Sequence, residues 1–518
     1  MSSDEDLSSP LLDTSLSLHQ THSNNQHQLP PPAPATQTQS AAHMQSTGPL
    51  RGNQRQMTHH QLLTPLLPTH TLLDDGARSS AFSSSASIPI HEDNARLTPV
   101  SAVFNISNTL LGAGMLAMPH ALASVGLIPG VLIIALCAFF SAAGLLLLSK
   151  SAFFLPRSST VSFFEISKVT FPKFVVLFDL AIAVKCWGVS ISYLVIVGDL
   201  MPKIMSSLSP SITSDSIMMN RNFWITLLHF SVVAPLSFLR QFHSLRYTSK
   251  VALLSVLYIL LIVCGCSVFS SIPAPDSSHY HLVNFDIVNL FSAIPVFVFA
   301  FTCHQNIFFT INELPNPTYS LLRKIVSSSI ALSFYIYTFL SVSGYLTFGD
   351  TVSQNILAQY STYYPDALWL TLAQFAITLV VLLSYPLQCY PARASVDKIL
   401  VWFQDDIQLN SVRAMSPLRF NVITISLLIS SYLIAMFVTS LTSVLQLVGA
   451  TGSTTICYIL PGLFYNKLSR TRFPHRFDTW NFLALGLVLW GVFVMVVSVG
   501  VQIWTAGEPI RVLRASFS

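Results

Sequence analysis

The chain has 518 residues, of which 52% are hydrophobic and 9% charged, against about 25% charged in an ordinary soluble protein. Its formal net charge is +4 and its mean hydropathy +0.59. So little polar surface cannot cover so much apolar mass in water, which excludes a soluble enzyme.

Residues 1 to 97 differ from the rest. They are rich in Ser, Gln, His and Pro, hold 8 of the 15 His and show no helical or strand period, which predicts a disordered tail. With 4 basic and 8 acidic residues the tail is acidic, so the remainder of the chain is the basic part. No apolar segment near Met1 resembles a secretory signal. Asp4 to Leu12 is an acidic stretch ending in a Leu pair, loosely like an endolysosomal sorting signal but off its usual spacing. An ordinary disordered segment is the simpler reading.

Beyond Arg96 the spans are marked by stretches free of Asp, Glu, Lys and Arg, because each charge at mid-bilayer costs about 2.5 to 3.5 kcal/mol. These are 97–149, 222–239, 251–275, 287–312, 325–349, 367–392, 420–466 and 479–507. A crossing takes about 20 residues. The first stretch therefore folds in two at Gly126 to Gly130 and the seventh near Thr439 to Thr442, and 174–201 is a further span interrupted by Lys185. The expectation is an all-α polytopic membrane protein with eleven transmembrane helices over 98–504 and a short C-terminus at 505–518.

One set of the resulting loops holds seventeen Lys and Arg, from Lys150 to Arg476, whereas the other holds only Lys203, Arg221, Arg511 and Arg514. Short basic loops stay cytosolic, which predicts a cytosolic tail and a luminal or extracellular C-terminus. All seven cysteines fall in predicted spans without a CxxC pair or zinc pattern, so they read as packing residues. No phosphate loop, GxSxG elbow or HExxH site is present, which argues against ATP-driven pumping and metalloprotease chemistry. No catalytic residue, metal, cofactor or nucleic-acid partner is expected.

The first span carries Gly112, Ala113 and Gly114 at its centre and Pro119 after them. Glycine and proline weaken a helix at mid-bilayer, where irregular backbone is tolerated only if buried in protein or lining a cavity. Such a break offers free N–H groups and a positive dipole end to an anion, as transporters use for a substrate carboxylate. A small-residue packing face is the alternative. The sixth span holds a matching candidate: Pro295 precedes Phe299 to Thr302, and His304, Gln305 and Asn306 follow. Breaks five places apart fit a five-plus-five repeat with one extra helix.

The segments FNISNTLLGAGMLAMPHAL from Phe104, KCWGVSISYLVIVGDLMP from Lys185, FAFTCHQNIFFTINEL from Phe299, YPLQCYPARAS from Tyr385 and LVGATGSTTICYILPGLFY from Leu447 resemble the amino acid/auxin permease family, especially its fungal vacuolar branch. The resemblance spans about Leu97 to Trp504 in family order. It implies the leucine-transporter-type fold, ten core helices in two inverted repeats plus an eleventh, and proton-coupled secondary transport of amino acids. By the same resemblance the first break, Gly112, Ala113, Gly114 and Met115, holds the substrate carboxylate. The second, Phe299, Ala300, Phe301 and Thr302, holds its amino group. Asn108 and Ser384 match a cation site of sodium-coupled relatives, with Ser in place of the more usual Thr.

Lys185 is the one basic residue inside an expected span, and an intramembrane ion is a functional candidate. With Gly188, Ser192 and Asp199 it forms a single helical stripe, but Asp199 lies about 21 Å along the axis, too far to pair. Its ammonium could stand in a cation site or carry the coupled proton, or it could simply pair with helix-end carbonyls or an acidic residue elsewhere. His304 is a second proton candidate, with an interhelical hydrogen bond as the plainer role. Asn312 and Glu313 end the sixth span where a gate would close; Glu313 and Asp179 also read as interfacial charges. Three functions stay open: a proton-coupled amino acid transporter of a vacuolar or lysosome-like membrane, a sodium-coupled plasma-membrane importer, and an amino acid sensor signalling through its tail. A channel is disfavoured because no charged ring or filter sequence occurs.

Overall fold

The computed structural model describes residues 97–516 except 157–159, 210, 212, 214, 240–244, 270–271, 273–278, 285, 405–414 and 474–477. The chain divides into Met1–Ile88, wholly outside those residues, and Pro89–Ser518, which holds every element below. The expected tail up to Arg96 and its acidic stretch thus lie outside the described residues, as do Arg157, Arg240, Arg413 and Arg476 of the basic loops.

Helix α1 (Pro99–Leu110) starts where the Thr98 side chain accepts from the Ser101 N–H and Pro99 takes the first turn, a position whose N–H would be unpaired anyway. Helix α2 (Gly114–Val125) leaves α1 at 55°. Gly126, at φ +87°, then turns the chain into α3 (Leu127–Ala152). A side chain there would be strained, and its Cβ would stand 2.8 Å from the Asn284 nitrogen. Helix α4 (Phe163–Thr170), capped by the Ser162 hydroxyl, leads to α5 (Val175–Leu208), the most deeply buried span.

Helix α6 (Arg221–Leu228), a π turn at His229–Val233 and α7 (Ala234–Ser237) form one continuous run, followed by α8 (Leu245–Phe269). Helix α9 (Ile287–Ala300) breaks before α10 (Ile307–Glu313). Then come α11 (Tyr319–Phe348), the short α12 (Ile356–Tyr363), α13 (Leu368–Gln404) and α14 (Pro417–Phe437). Helix α15 (Leu441–Val448) passes through π turns at Gly449–Ser453 and Thr455–Ile459 into α16 (Leu460–Arg472), and α17 (Thr479–Ser516) closes the chain.

Every regular element among the described residues is helical. Nine helices there are long and apolar enough to cross a membrane, or ten with the bent α1–α2 pair. The fourth expected span, 222–239, is helical over 221–237, at the lower end of the about 17 to 25 residues that cross a bilayer. Length and composition therefore give nine or ten spans among the described residues, against the eleven expected. The outward faces suit lipid: on α3, Leu132, Leu136 and Phe139 are exposed, and on α8, Leu254, Leu257 and Leu261, each set at helical spacing.

Helices α5 and α13, third and eighth among the expected spans, form the most extensive helix pair, and α2 packs on α9, bringing the two broken spans together. Lys185 is not the only deeply buried basic residue: α13 continues through Arg393 and Lys398, and Arg393 is 2% exposed. A charge-free stretch marks only the apolar middle of a span, and this helix overruns it. The guanidinium is kept inside by donating to Ser237 O and Thr424 Oγ1, both at 3.0 Å, and by stacking on Phe420.

Candidate functional site

Both breaks exist and they touch. In the first, Leu111 leaves helical geometry at ψ 63°, Gly112 N–H turns back to Leu110 O at 2.8 Å and Met115 N–H reaches Gly112 O at 3.2 Å. The N–H groups of Ala113 and Gly114 make no hydrogen bond among the described residues, so the start of α2 presents unpaired donors at its positive end. Ala113 and Met115 are buried. A Cβ on Gly114 would lie 3.1 Å from Ala300 Cβ and 3.2 Å from its Cα. Glycine is what lets the two backbones approach.

In the second break α9 stops at Ala300, residues 301–303 are irregular, and a 3-10 turn at His304–Asn306 starts the next piece. Pro295 within α9 cannot donate to the preceding turn. The freed carbonyls are taken by side chains: Ser141 Oγ donates to Phe301 O at 2.7 Å, and Thr302 Oγ1 to Val298 O at 2.7 Å. Most informative is Tyr337 of α11. Its hydroxyl donates to Ala300 O at 3.1 Å and to Leu110 O, so a single group joins the C-terminal ends of both half-helices. Asn306 Nδ2 donates to Thr109 Oγ1 at 2.6 Å, a second tie between the broken spans.

The ion candidates separate into two groups. Lys185 and His304 lie in one buried cluster. His304 Nδ1 is 3.1 Å from Cys457 Sγ, which itself donates to Thr302 Oγ1 at 3.1 Å. Its Nε2 is buried without a partner. Lys185, 2% exposed, stands within electrostatic reach of Cys303, Cys457 and His304, and Gly452 packs on its Cβ. Among the described residues no carboxylate lies within 4.0 Å of its ammonium. The expected stripe divides, since Gly188 and Ser192 are buried with Lys185 whereas Asp199 pairs with Arg221 at 3.7 Å. Asn108 and Ser384, by contrast, are half-buried and no hydrogen bond joins them.

Asn312 pairs with both backbone groups of Val161, at 3.0 and 2.9 Å, and Glu313 is exposed. Asp179 is buried in protein: it is 2% exposed, accepts from Ser395 at 3.1 Å and faces Lys398 at 3.9 Å.

Three further residues lie next to the breaks, two of them without any signal in the sequence. Tyr337 lies in an aromatic run with no periodic cue. Tyr193 places its hydroxyl 3.5 Å from where a Gly112 Cβ would be. Gln388 stands beside Tyr193 with its Oε1 buried and unpartnered; a glutamine inside a span is the one cue that was available, since burying its amide costs free energy unless a partner exists.

Residues 95–504 match the family model described as transmembrane amino acid transporter protein. Vacuolar amino acid transporter 6 of Saccharomyces cerevisiae is 38% identical over 448 residues, 76% of this chain and 96% of the relative. Vacuolar amino acid transporter 5 of the same yeast is 35% identical over 454 residues, covering 77% and 96%. Vacuolar amino acid transporter 5 of Schizosaccharomyces pombe is 39% identical over 416 residues, covering 78% and 94%.

Proposed function

Since the chain belongs to the transmembrane amino acid transporter family, we propose that it carries amino acids across the vacuolar membrane by secondary active transport, coupled to protons. The observation that carries this reading is the meeting of two broken helices at Gly114 and Ala300, with unpaired N–H donors on one side and helix-end carbonyls on the other. An amino acid bears complementary groups. Its carboxylate suits the start of α2, Gly112 to Met115, where each charge-assisted bond is worth about 1.5 to 3 kcal/mol. Its ammonium suits the carbonyls of Phe299 to Thr302. Alternating access then rocks one repeat about this point.

Protons are favoured over sodium because Lys185 and His304 share a buried cluster in which, among the described residues, no carboxylate lies within 4.0 Å of the ammonium. An unpaired buried ammonium costs several kcal/mol, an expense that a proton-carrying role accounts for. The basic loops support a cytosolic N-terminal tail. The test is uptake of each of the twenty amino acids into proteoliposomes under inside-acid and inside-alkaline gradients, with choline replacing sodium. Uptake that follows the pH gradient and ignores choline is expected. Uptake that requires sodium refutes proton coupling, and no uptake of any amino acid refutes transport. Deleting residues 1 to 97 should leave transport intact, whereas a sensor would lose partner binding.

A further inference from the structure

Tyr337 is fully buried on α11, its ring packed edge-on against Phe301 at 5.2 Å, and its hydroxyl meets Leu110 O and Ala300 O together. Leu110 O has a second donor in Gly112 N–H. Ala300 O has none among the described residues. Each carbonyl ends a half-helix, and such ends carry partial negative charge. A hydroxyl owns one proton and serves two acceptors here, so it satisfies them less well than a group with several N–H donors would. The unpaired N–H groups of Ala113 and Gly114 lie one turn of chain from Leu110 O. A molecule bearing an ammonium beside a carboxylate fits both sets of groups at once, and only the carbonyl set is already occupied.

We propose that the Tyr337 hydroxyl is a placeholder for the substrate ammonium: it holds the two carbonyls while the site is empty and yields them when an amino acid binds. The inference rests on the transport reading for the identity of the ligand. It makes Tyr337 a positioning residue that sets the balance between binding and release. With the hydroxyl present the empty site is satisfied, so substrate exchanges one set of hydrogen bonds for another and leaves readily. Without it the empty site keeps a buried acceptor unpaired, and an ammonium is held more firmly.

The experiment uses the full chain in proteoliposomes, taking up a labelled mixture of the twenty amino acids, with n-propylammonium and propionate as separate competitors. Tyr337→Phe should lower the half-inhibitory concentration of n-propylammonium by about fivefold or more, leave that of propionate unchanged, and lower both KM and maximal rate. A merely structural tie predicts the opposite, weaker inhibition with a raised KM, and that result overturns the proposal, as does no change. Should the Phe variant lose its monodisperse size-exclusion peak, fluorotyrosine at 337 keeps the shape and donates more strongly. It should raise the n-propylammonium concentration needed, and a fall or no change overturns the proposal. Absence of wild-type uptake would count against transport alone, because the melting shift caused by n-propylammonium in solubilised protein still reads the hydroxyl.

Discussion

Gly114 leaves no room for a larger residue: its missing Cβ would already press on Ala300, and the two further methyls of valine would force the broken helices apart. Gly114→Val should therefore reduce amino acid uptake at least about tenfold, a change in site free energy of about 1.4 kcal/mol, while size exclusion shows a folded protein. Normal uptake would remove Gly114 from the site. Lys185→Met keeps the volume and deletes the charge. It should abolish gradient-driven uptake yet preserve exchange of labelled for unlabelled amino acid, and unaltered pH dependence would exclude Lys185 as the coupling group. What was legible at this scale follows from covalent chemistry. Glycine and proline announce themselves in a span because they cannot sustain a helix there, so both breaks could be found. Tyr337 could not, because its partners Leu110 O and Ala300 O are backbone atoms on two other helices. The burial of Arg393 was hidden for a related reason: it depends on acceptors such as Ser237 O, which no local pattern reveals.

Among the elements, Arg393 links α7, α13 and α14 through Ser237, Thr424 and Phe420. Arg393→Met should leave those acceptors short of a donor and cost about 1 to 3 kcal/mol, read as a lower melting temperature of the solubilised protein. An unchanged melting temperature would show the link to be idle. The strap between α8 and α9 is held differently. Its backbone pairs with the Gly126 turn, with Leu127 N–H on His281 O at 3.1 Å, Ile128 N–H on Leu282 O at 3.0 Å and Asn284 N–H on Val125 O at 3.1 Å. His281 also meets Asp350 at 3.1 Å, and the Tyr345 hydroxyl accepts from the His281 N–H at 2.7 Å. His281→Ala should lower the hydrogen-exchange protection of the Leu127, Ile128 and Asn284 amides; equal protection in both proteins would deny the pair a role. The hairpin at Gly126 was legible from its glycines and proline. The strap that covers it was not, since the pairing is long-range and the strap has no period of its own.

For the whole molecule, charge placement is the organising fact, and it makes a direct prediction about orientation. Ser214→Asn creates an acceptor site for N-glycosylation on the sparsely charged side, between Leu208 and Ile217, and Val412→Thr creates one at Asn410 on the basic side. Expression in a eukaryotic host should glycosylate the first and not the second, and the reverse would invert the assigned topology. The membrane class and the order of spans were readable because a bilayer penalises charge so heavily. The number of spans was less so, because 221–237 is short for a crossing and apolar composition alone does not set helix length. One local irregularity bears on the whole. The segment from Gly449 to Ile459 contains two successive π turns, each accommodating one residue more than α geometry would use. Its glycines abut Pro295 O and Lys185, that is, the second broken helix and the buried cation. Restoring α geometry at either turn rotates everything beyond it by about 100° and lengthens the helix by about 1.5 Å. The two turns thus set which face of everything beyond Ile459 meets the core, an orientation written into hydrogen-bond register and not into side-chain packing alone.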